Sequence, residues 1–328
     1  MRREPEHKLW GIVLAAGEGT RVRPFLQRLC GGRGIKQFCA VIGRRSMLEH
    51  TLARVERLIP RERIVVVVSQ HHRDEAARQL AHWPAENVVY QPANRDTLPG
   101  ILLPLAHITY RSPLATVAVF PSDHFILDEE TFMAMVGRAA AEVHRFPQEL
   151  ILLGVTPDRA EDGYGWIEPA QAEAGRDSRA VRRFWEKPSH VQIRALLARG
   201  ALWNTLVFVV HATTLWEMSR QVAPDLCQTF HSIRLMLHSA HADLFTAHAY
   251  ETMRAVNFSH GVCERLGSSL RVLPVPDVGW SDWGRAERIL ASLQRLGKLN
   301  DCLGRLRHQG GAAPFPERSR RRPTPHLQ

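Results

Sequence analysis

Apolar residues recur along this chain with two alternating periods. The run Leu9-Trp10-Gly11-Ile12-Val13-Leu14-Ala15 stops at Gly17-Glu18-Gly19, the order of a strand that opens into a glycine loop. Between positions 46 and 59, Met47, Leu48, Leu52, Val55, Leu58 and Ile59 return at helical spacing. Ile64-Val65-Val66-Val67-Val68 then runs apolar on both faces, as a central strand does. The same spacing predicts a helix over 73–82, a strand over 88–90, a helix over 99–108 and a strand over 116–120. Helix and strand in alternation imply an α/β fold with a mostly parallel open sheet flanked by helices.

A fifth strand is predicted over 150–155, and Tyr164 to Pro169 and Val181 to Trp185 read as additions to the sheet. Beyond a strand over 205–210 the pattern turns mainly helical across about 211–265, and a last strand is expected over 270–275. The organisation expected is an N-terminal extension over 1–8, a main domain over 9–290, a terminal helix over 291–306 and a disordered basic tail over 307–328, rich in Gly, Pro and Arg. No repeat of twenty to fifty residues is present. The residues after 290 are too few for a further catalytic domain, so a single activity is expected.

Composition is that of an ordinary globular protein, 45% hydrophobic and 23% charged. The net charge of +10 gathers largely at the two ends, and no nucleic-acid-binding motif accompanies it, so no nucleic acid is expected as a partner. The five cysteines are scattered without a C-x-x-C pair, and the charged N-terminus precedes neither a signal peptide nor a membrane span. Reduced thiols, a cytoplasmic location and no membrane partner are the expectations.

Five constellations carry candidate chemistry. Leu14-Ala15-Ala16-Gly17-Glu18-Gly19-Thr20-Arg21, followed by Lys36-Gln37-Phe38, combines a glycine loop after a strand with fixed positive charge, a combination suited to phosphate. It matches neither a Walker loop nor a dinucleotide fingerprint. Asp123, in Phe120-Pro121-Ser122-Asp123-His124, stands at a strand end facing the ligand crevice of an open sheet, and Asp282 in Trp280-Ser281-Asp282-Trp283-Gly284 offers a second carboxylate. Two acids plus phosphate oxygens suit Mg²⁺. Glu186-Lys187 and Trp203-Asn204-Thr205 supply a carboxylate, a cation and an amide for a sugar phosphate. Trp166, Trp185, Trp203, Trp280 and Trp283 are expected to pack rather than to stack on a ligand.

Taken in order, these motifs resemble the sugar-1-phosphate nucleotidyltransferases, and within them the mannose-1-phosphate guanylyltransferases, over about residues 9 to 290. The carriers are the loop from Leu14 to Arg21, Lys36 to Phe38, Pro121-Ser122-Asp123-His124, Phe184 to Pro188, Trp203-Asn204-Thr205 and Trp280 to Gly284. Gln91 to Pro99 resembles the segment that meets the nucleotide, with Arg95-Asp96-Thr97 in place of Arg-Asn-Thr. Ile35, preceded by Gly31, Gly32 and Gly34, stands where the family has proline, and Leu206 stands where it often has a small residue.

The resemblance implies a Rossmann-like nucleotidyltransferase fold. It implies that an NTP, GTP being favoured, meets Ala15, Ala16, Gly17, Gly19, Thr20, Arg21, Arg95 and Thr97. It further implies that Arg21 and Lys36 grip the β- and γ-phosphates, that Asp123 and Asp282 hold Mg²⁺, and that Lys187 takes the sugar phosphate while Gly165, Glu186 and Asn204 meet sugar hydroxyls. Catalysis would rest on Arg21, Lys36, Asp123, Lys187 and Asp282, transferring a nucleotidyl group to a sugar 1-phosphate, mannose 1-phosphate first, with release of pyrophosphate. Another NTP or hexose 1-phosphate, a sugar-nucleotide-binding relative without activity, and a sugar-transferring enzyme of similar fold are the alternatives, and a homo-oligomer is allowed.

Overall fold

The computed structural model describes residues 8–32 and 34–309. Strand β1 (Leu9–Ala15) leads through the glycine loop into α1 (Arg23–Cys30), whose Pro24 sits in the first turn where a missing N–H costs least. Helix α2 (Met47–Val55) starts at a capping box in which Ser46 and Glu49 satisfy each other's backbone N–H groups. Then come β2 (Ile64–Ser69), α3 (Arg73–Gln79), β3 (Val88–Gln91), α4 (Thr97–Arg111), β4 (Thr116–Pro121), α5 (Glu129–Arg145) and β5 (Leu150–Val155). The second half contains β6 (Gly165–Pro169), β7 (Arg179–Glu186), α6 (His190–Ala198), β8 (Leu202–His211), α7 (Ala212–Val222), α8 (Pro224–Met236), α9 (Ala242–Thr252), β9 (Leu270–Val275), α10 (Ala286–Arg295) and α11 (Leu299–Gln309).

Among the described residues, nine strands join one sheet in the order β3-β2-β1-β4-β8-β5-β9-β7-β6. The ladders β3-β2-β1-β4 and β5-β9 are parallel. From β8 onward most pairings are antiparallel, so the sheet is mixed, with its parallel part concentrated in the first half. The α/β class and the flanking helices are those implied by the sequence. The antiparallel share arises because β8 returns against β4 and β5 and also meets β6.

The two faces of the sheet bury separate cores. One packs Ile12, Val65, Val67 and Val117 against α4, α7 and α8; the other packs Val13, Val66, Val68 and Ala118 against α2 and α5. Alternate residues of the same strand thus serve opposite cores, as period-two geometry requires. A third cluster joins α1 to α10 and α11 through Phe25, Leu26, Leu29, Trp283, Ile289 and Leu293.

Helices α1, α5 and α6 go beyond the sequence expectation. In α5, Phe132, Met133, Val136, Ala139 and Val143 form one buried face, and Asp128 caps the first turn by accepting from Thr131 N. The terminal helix expected over 291–306 is two helices, α10 beginning before 290 and α11 running on to Gln309 into the expected tail, of which residues 310–328 lie outside the described residues.

Candidate active site

Two aspartates converge because two loops zip together. Phe125 and Ser281 exchange backbone hydrogen bonds of 2.8 and 2.9 Å, forming an antiparallel bridge between the segment after β4 and the segment after β9. Asp123, two residues before Phe125, and Asp282, directly after Ser281, are thereby carried to the same end of that antiparallel bridge. Between them stands Lys36, only 4% exposed, whose Nζ donates to Asp123 Oδ2 at 2.8 Å and to the Asp282 main-chain carbonyl at 2.5 Å. A buried ammonium needs such partners, since an unpaired one would deprotonate or disrupt the fold.

The Lys36 turn is fastened to the glycine loop. Gln37, also buried, donates from Nε2 to the carbonyls of Ala15 at 2.8 Å and Gly17 at 2.9 Å. Gly19 has φ +58°, and a Cβ there would lie 3.0 Å from Lys36 Cβ. Backbone conformation and close approach both call for glycine at this position. Arg21 stands exposed on the same loop.

Asp282 is held on one side only. Its Oδ1 accepts from Arg288 Nη1 at 2.5 Å, Tyr164 Oη at 2.9 Å and Gly284 N at 3.0 Å, which leaves Oδ2 outside that set. Arg288 in turn reaches Glu161 Oε1 at 2.7 Å, and its guanidinium lies 4.3 Å from the centre of the Tyr164 ring. Burial alone would raise the Asp282 pKa, but Arg288, the Gly284 N–H, His124 and Lys36 together hold it at about 2. Asp123 is likewise held below the ordinary range: burial opposes its charge, and Lys36 and His124 outweigh the burial. Both carboxylates are therefore ionised at neutral pH.

His124 accepts from Trp280 Nε1 at Nδ1 (3.3 Å), so in the neutral ring Nε2 carries the proton and faces Asp123 Oδ1 at 4.0 Å. Burial lowers the His124 pKa to about 4, against the pull of Asp123. Trp280, Trp203 and Tyr164 meet edge to face or tilted, with ring centres 5.0 to 6.4 Å apart, and form an aromatic wall behind Asp282.

Gly165, Glu186 and Asn204 also come together. Gly165 pairs with Glu186 across β6 and β7, and a Cβ on Gly165 would lie 3.1 Å from Glu186 Oε2 and 3.3 Å from Asn204 Cβ. Burial raises the Glu186 pKa, opposed by Lys187, whose Nζ is 3.5 Å from Glu186 Oε1. Asn204 precedes a bulge in β8: Leu152 pairs with Phe208 but Gly154 with Asn204, and Leu206 adopts φ +57°. The bulge is secured by Asn204 Oδ1 accepting from Leu206 N at 3.1 Å and by Thr205 Oγ1 bonding Leu153 O at 2.7 Å and Val207 N at 3.2 Å.

The Arg95 segment sits apart from the aspartates. The Arg95 guanidinium donates to the carbonyls of Tyr250 and Glu251 at the C-terminal end of α9, and Thr97 Oγ1 accepts from Phe258 N at 2.7 Å. Both residues thus anchor 94–98 to 250–258, a cation completing helix carbonyls in the usual sense. Asn94 Nδ2, 3.5 Å from Glu18 Oε1, brings the segment across to the glycine loop.

The non-glycine residues with positive φ among the described residues are Asp96, Lys187, Leu206 and Trp283, each at or within two residues of a candidate site residue. Backbone strain in such positions is retained where the surroundings enforce it. The sequence reading did not single out Gln37, Glu161, Arg288 or the Tyr164 hydroxyl. Gln37 lay inside a quoted motif, whereas Arg288 is a cation within an amphipathic helix and had no local signal.

Residues 10–297 match the family model described as nucleotidyl transferase. A mannose-1-phosphate guanylyltransferase of Escherichia coli strain K12 is 30% identical over 311 residues, covering 91% of this chain and 63% of that protein. The xanthan biosynthesis protein XanB of Xanthomonas campestris pv. campestris strain B100 is 30% identical over 295 residues, covering 88% of this chain and 60% of that protein. The chain thus spans about three-fifths of the length of these relatives. The crystal structure described as a mannose-1-phosphate geranyltransferase from Thermus thermophilus superposes with a TM-score of 0.73 at 24% identity, covering 84% of this chain and 76% of that one, a likeness of fold.

Proposed function

From its membership of the nucleotidyl transferase family, to which the chain belongs over residues 10–297, we propose that this protein transfers a nucleotidyl group from an NTP to a sugar 1-phosphate. GTP and mannose 1-phosphate are the substrates we favour, supported by the relative of that name in Escherichia coli. The observation that carries the reading is the pair of partly buried, ionised aspartates brought together by the Phe125–Ser281 bridge and spanned by Lys36.

Asp123 Oδ1 and Asp282 Oδ2 lie outside the hydrogen bonds that hold their partner oxygens, so the donor set fits a hard divalent cation that takes two carboxylates and completes its shell with phosphate oxygens. We assign Mg²⁺ to them. When bound it would neutralise charge on the α-phosphate and polarise it. Arg21 and the loop backbone from Ala15 to Thr20 face the outer phosphates, and Arg95 and Thr97 hold the segment that borders the base. Lys36 keeps Asp123 and the Asp282 backbone in place and adds positive charge where the phosphates converge.

Lys187 takes the phosphate of the sugar, while Gly165, Glu186 and Asn204 meet its hydroxyls. An oxygen of that phosphate attacks the α-phosphorus in line, the bond to the bridging oxygen breaks, and pyrophosphate leaves. The nucleophile is already anionic at neutral pH, so positioning and charge neutralisation suffice and no side chain need act as base.

The test is pyrophosphate release with Mg²⁺, mannose 1-phosphate and, separately, GTP, ATP, UTP, CTP or dTTP, beside Asp123→Ala and Asp282→Ala variants. Release with GTP that disappears in both variants supports the assignment. Release with a different nucleotide corrects the base, and silence with every nucleotide and every hexose 1-phosphate overturns it.

A further inference from the structure

Away from the aspartates, a second polar cluster lies beside the Lys36 turn. Cys30 ends α1 and Cys39 follows the turn, so the two cysteines bracket the segment that carries Lys36, and the Cys30 thiol reaches across to the carbonyl of Ala40, the residue next to Cys39, at 3.6 Å. Both line a cavity of about 490 Å³ together with Arg78, Gln79 and Arg305. Arg305, on α11, is fixed by the carbonyls of Ala40 at 3.0 Å and Val41 at 3.2 Å, and its Nη2 lies 3.8 Å from Cys30 Sγ. A guanidinium held against a sulfur that borders a cavity of this size is the setting that favours a thiolate.

Cys30 is partly exposed, whereas Cys39 is 6% exposed. The neighbouring Cys39 and, after it, Arg305 hold the Cys30 pKa below that of an ordinary thiol against burial, while Cys30 and burial push that of Cys39 up. Burial raises the pKa of Cys227 to about 11 and pushes those of Cys263 and Cys302 upward as well. Gly31, Gly32 and Gly34, all at positive φ, give the bracketed segment a backbone that few other residues adopt.

We propose that Cys30 and Cys39 form a reactive dithiol, in which Cys30 attacks a peroxide and Cys39 resolves the product into a reversible Cys30–Cys39 disulfide. The Cys30 thiolate attacks one oxygen of hydrogen peroxide and the O–O bond breaks; hydroxide leaves and takes up the proton lost by the thiol, giving one water and a sulfenic acid. The Cys39 sulfur then attacks the sulfenic sulfur, the S–O bond breaks, and the hydroxyl leaves with the Cys39 proton as a second water. Two thiols are oxidised and one peroxide is reduced. An external dithiol restores both thiols by exchange. The link ties the ends of the Lys36 segment together and so places a redox-dependent constraint beside Asp123.

The test treats the reduced full chain with hydrogen peroxide at near-stoichiometric amounts, alkylates the remaining thiols and maps the peptides by mass spectrometry. A Cys30–Cys39 linkage, reversed by dithiothreitol while Cys227 and Cys263 stay alkylatable, is expected. In Cys39→Ser the Cys30 sulfenic acid persists and is captured by dimedone, and in Cys30→Ser no linkage forms, with far-ultraviolet circular dichroism confirming that both variants fold. Arg305→Gln slows formation of the linkage several-fold. A Cys30–Cys302 linkage, or even oxidation of all five thiols without a linked pair, overturns the proposal.

Discussion

Arg288 holds Asp282 by a single oxygen: Nη1 meets Oδ1 at 2.5 Å while Oδ2 stays outside the contact. A carboxylate gripped in this way cannot rotate, and one of its oxygens is directed away from the pair. Arg288 also forms an ion pair with Glu161, so two acids on different loops are referred to one guanidinium.

Arg288→Lys is expected to keep the positive charge and lose the fork. An ammonium cannot meet Asp282 and Glu161 in the same geometry. Activity should fall by about 10- to 100-fold, the range found for residues that orient metal ligands, with a rise in the Mg²⁺ concentration for half-maximal rate. Magnesium titrations of the rate check this; an unchanged Mg²⁺ requirement would remove Arg288 from the metal-orienting role.

Asp123→Asn and Asp282→Asn each remove one negative charge at nearly constant shape. Pyrophosphate release is expected to fall by about 10²-fold or more in each, because charge neutralisation carries most of the rate in this reaction type. The double variant should lose less than the product of the single effects, since the two residues act as one site. Steady-state kinetics of the three proteins supply the comparison.

Gly165→Ala places a methyl group 2.8 Å from Phe184 Cζ and 3.1 Å from Glu186 Oε2. Overpacking of this kind costs about 1–3 kcal/mol, and here the atoms displaced are those assigned to the sugar. The KM for the sugar 1-phosphate should rise about tenfold while the KM for the NTP changes less. Equal increases in both would place Gly165 outside the sugar pocket.

His124 supplies a pH dependence of stability. Its folded pKa of about 4 lies below the ordinary histidine value of about 6.5, because burial disfavours the charged ring. The folded state therefore binds fewer protons between these values. The stability associated with a neutral His124 is fully present above pH about 6.5 and is lost as pH falls through about 4, a contribution on the order of 3 kcal/mol. Urea unfolding across this window should show a shallower decline for His124→Asn than for the natural protein. Parallel declines would show that other groups set the acid limb.

Much of the fold was legible because fully buried strands leave unmistakable runs: the bounds read for β1 and β5 from apolar patterning coincide with those observed. Helix α5 was not predicted although its buried positions recur at helical spacing, because the apolar run Phe125-Ile126-Leu127 just ahead of the Asp128 cap masks where the helix begins. Strand β8 begins three residues earlier than position 205, the starting point read from the sequence, since its first residues pair with β6 and the chain then passes through the Leu206 bulge. Period-two reasoning cannot anticipate a shift in register.

The candidate aspartates could be singled out because each follows a strand, Asp123 just after β4 and Asp282 on the segment after β9, and an open α/β sheet presents its strand ends to a crevice. Residues that act by fixing others left little trace. Arg288 reads as one more cation on an amphipathic helix, and Gln37 as a polar residue in a turn, until the distances to Asp282, Ala15 and Gly17 are known. Arg95 shows the reverse case: a residue placed at the nucleotide only by the resemblance of its segment spends its guanidinium on the carbonyls of α9.

The amide of Asn204 both borders the Gly165–Glu186 cleft and accepts the hydrogen bond that keeps Leu206 in its left-handed turn. On the sugar-binding role proposed for Asn204, selectivity and foldability are thereby written into one side chain. A lineage drifting toward a different hexose could not retune this position alone without unsettling the strand on which β4, β5 and β6 all lean, so divergence in this pocket would enter through its other walls, with Asn204 acting as a brake on the pace of change.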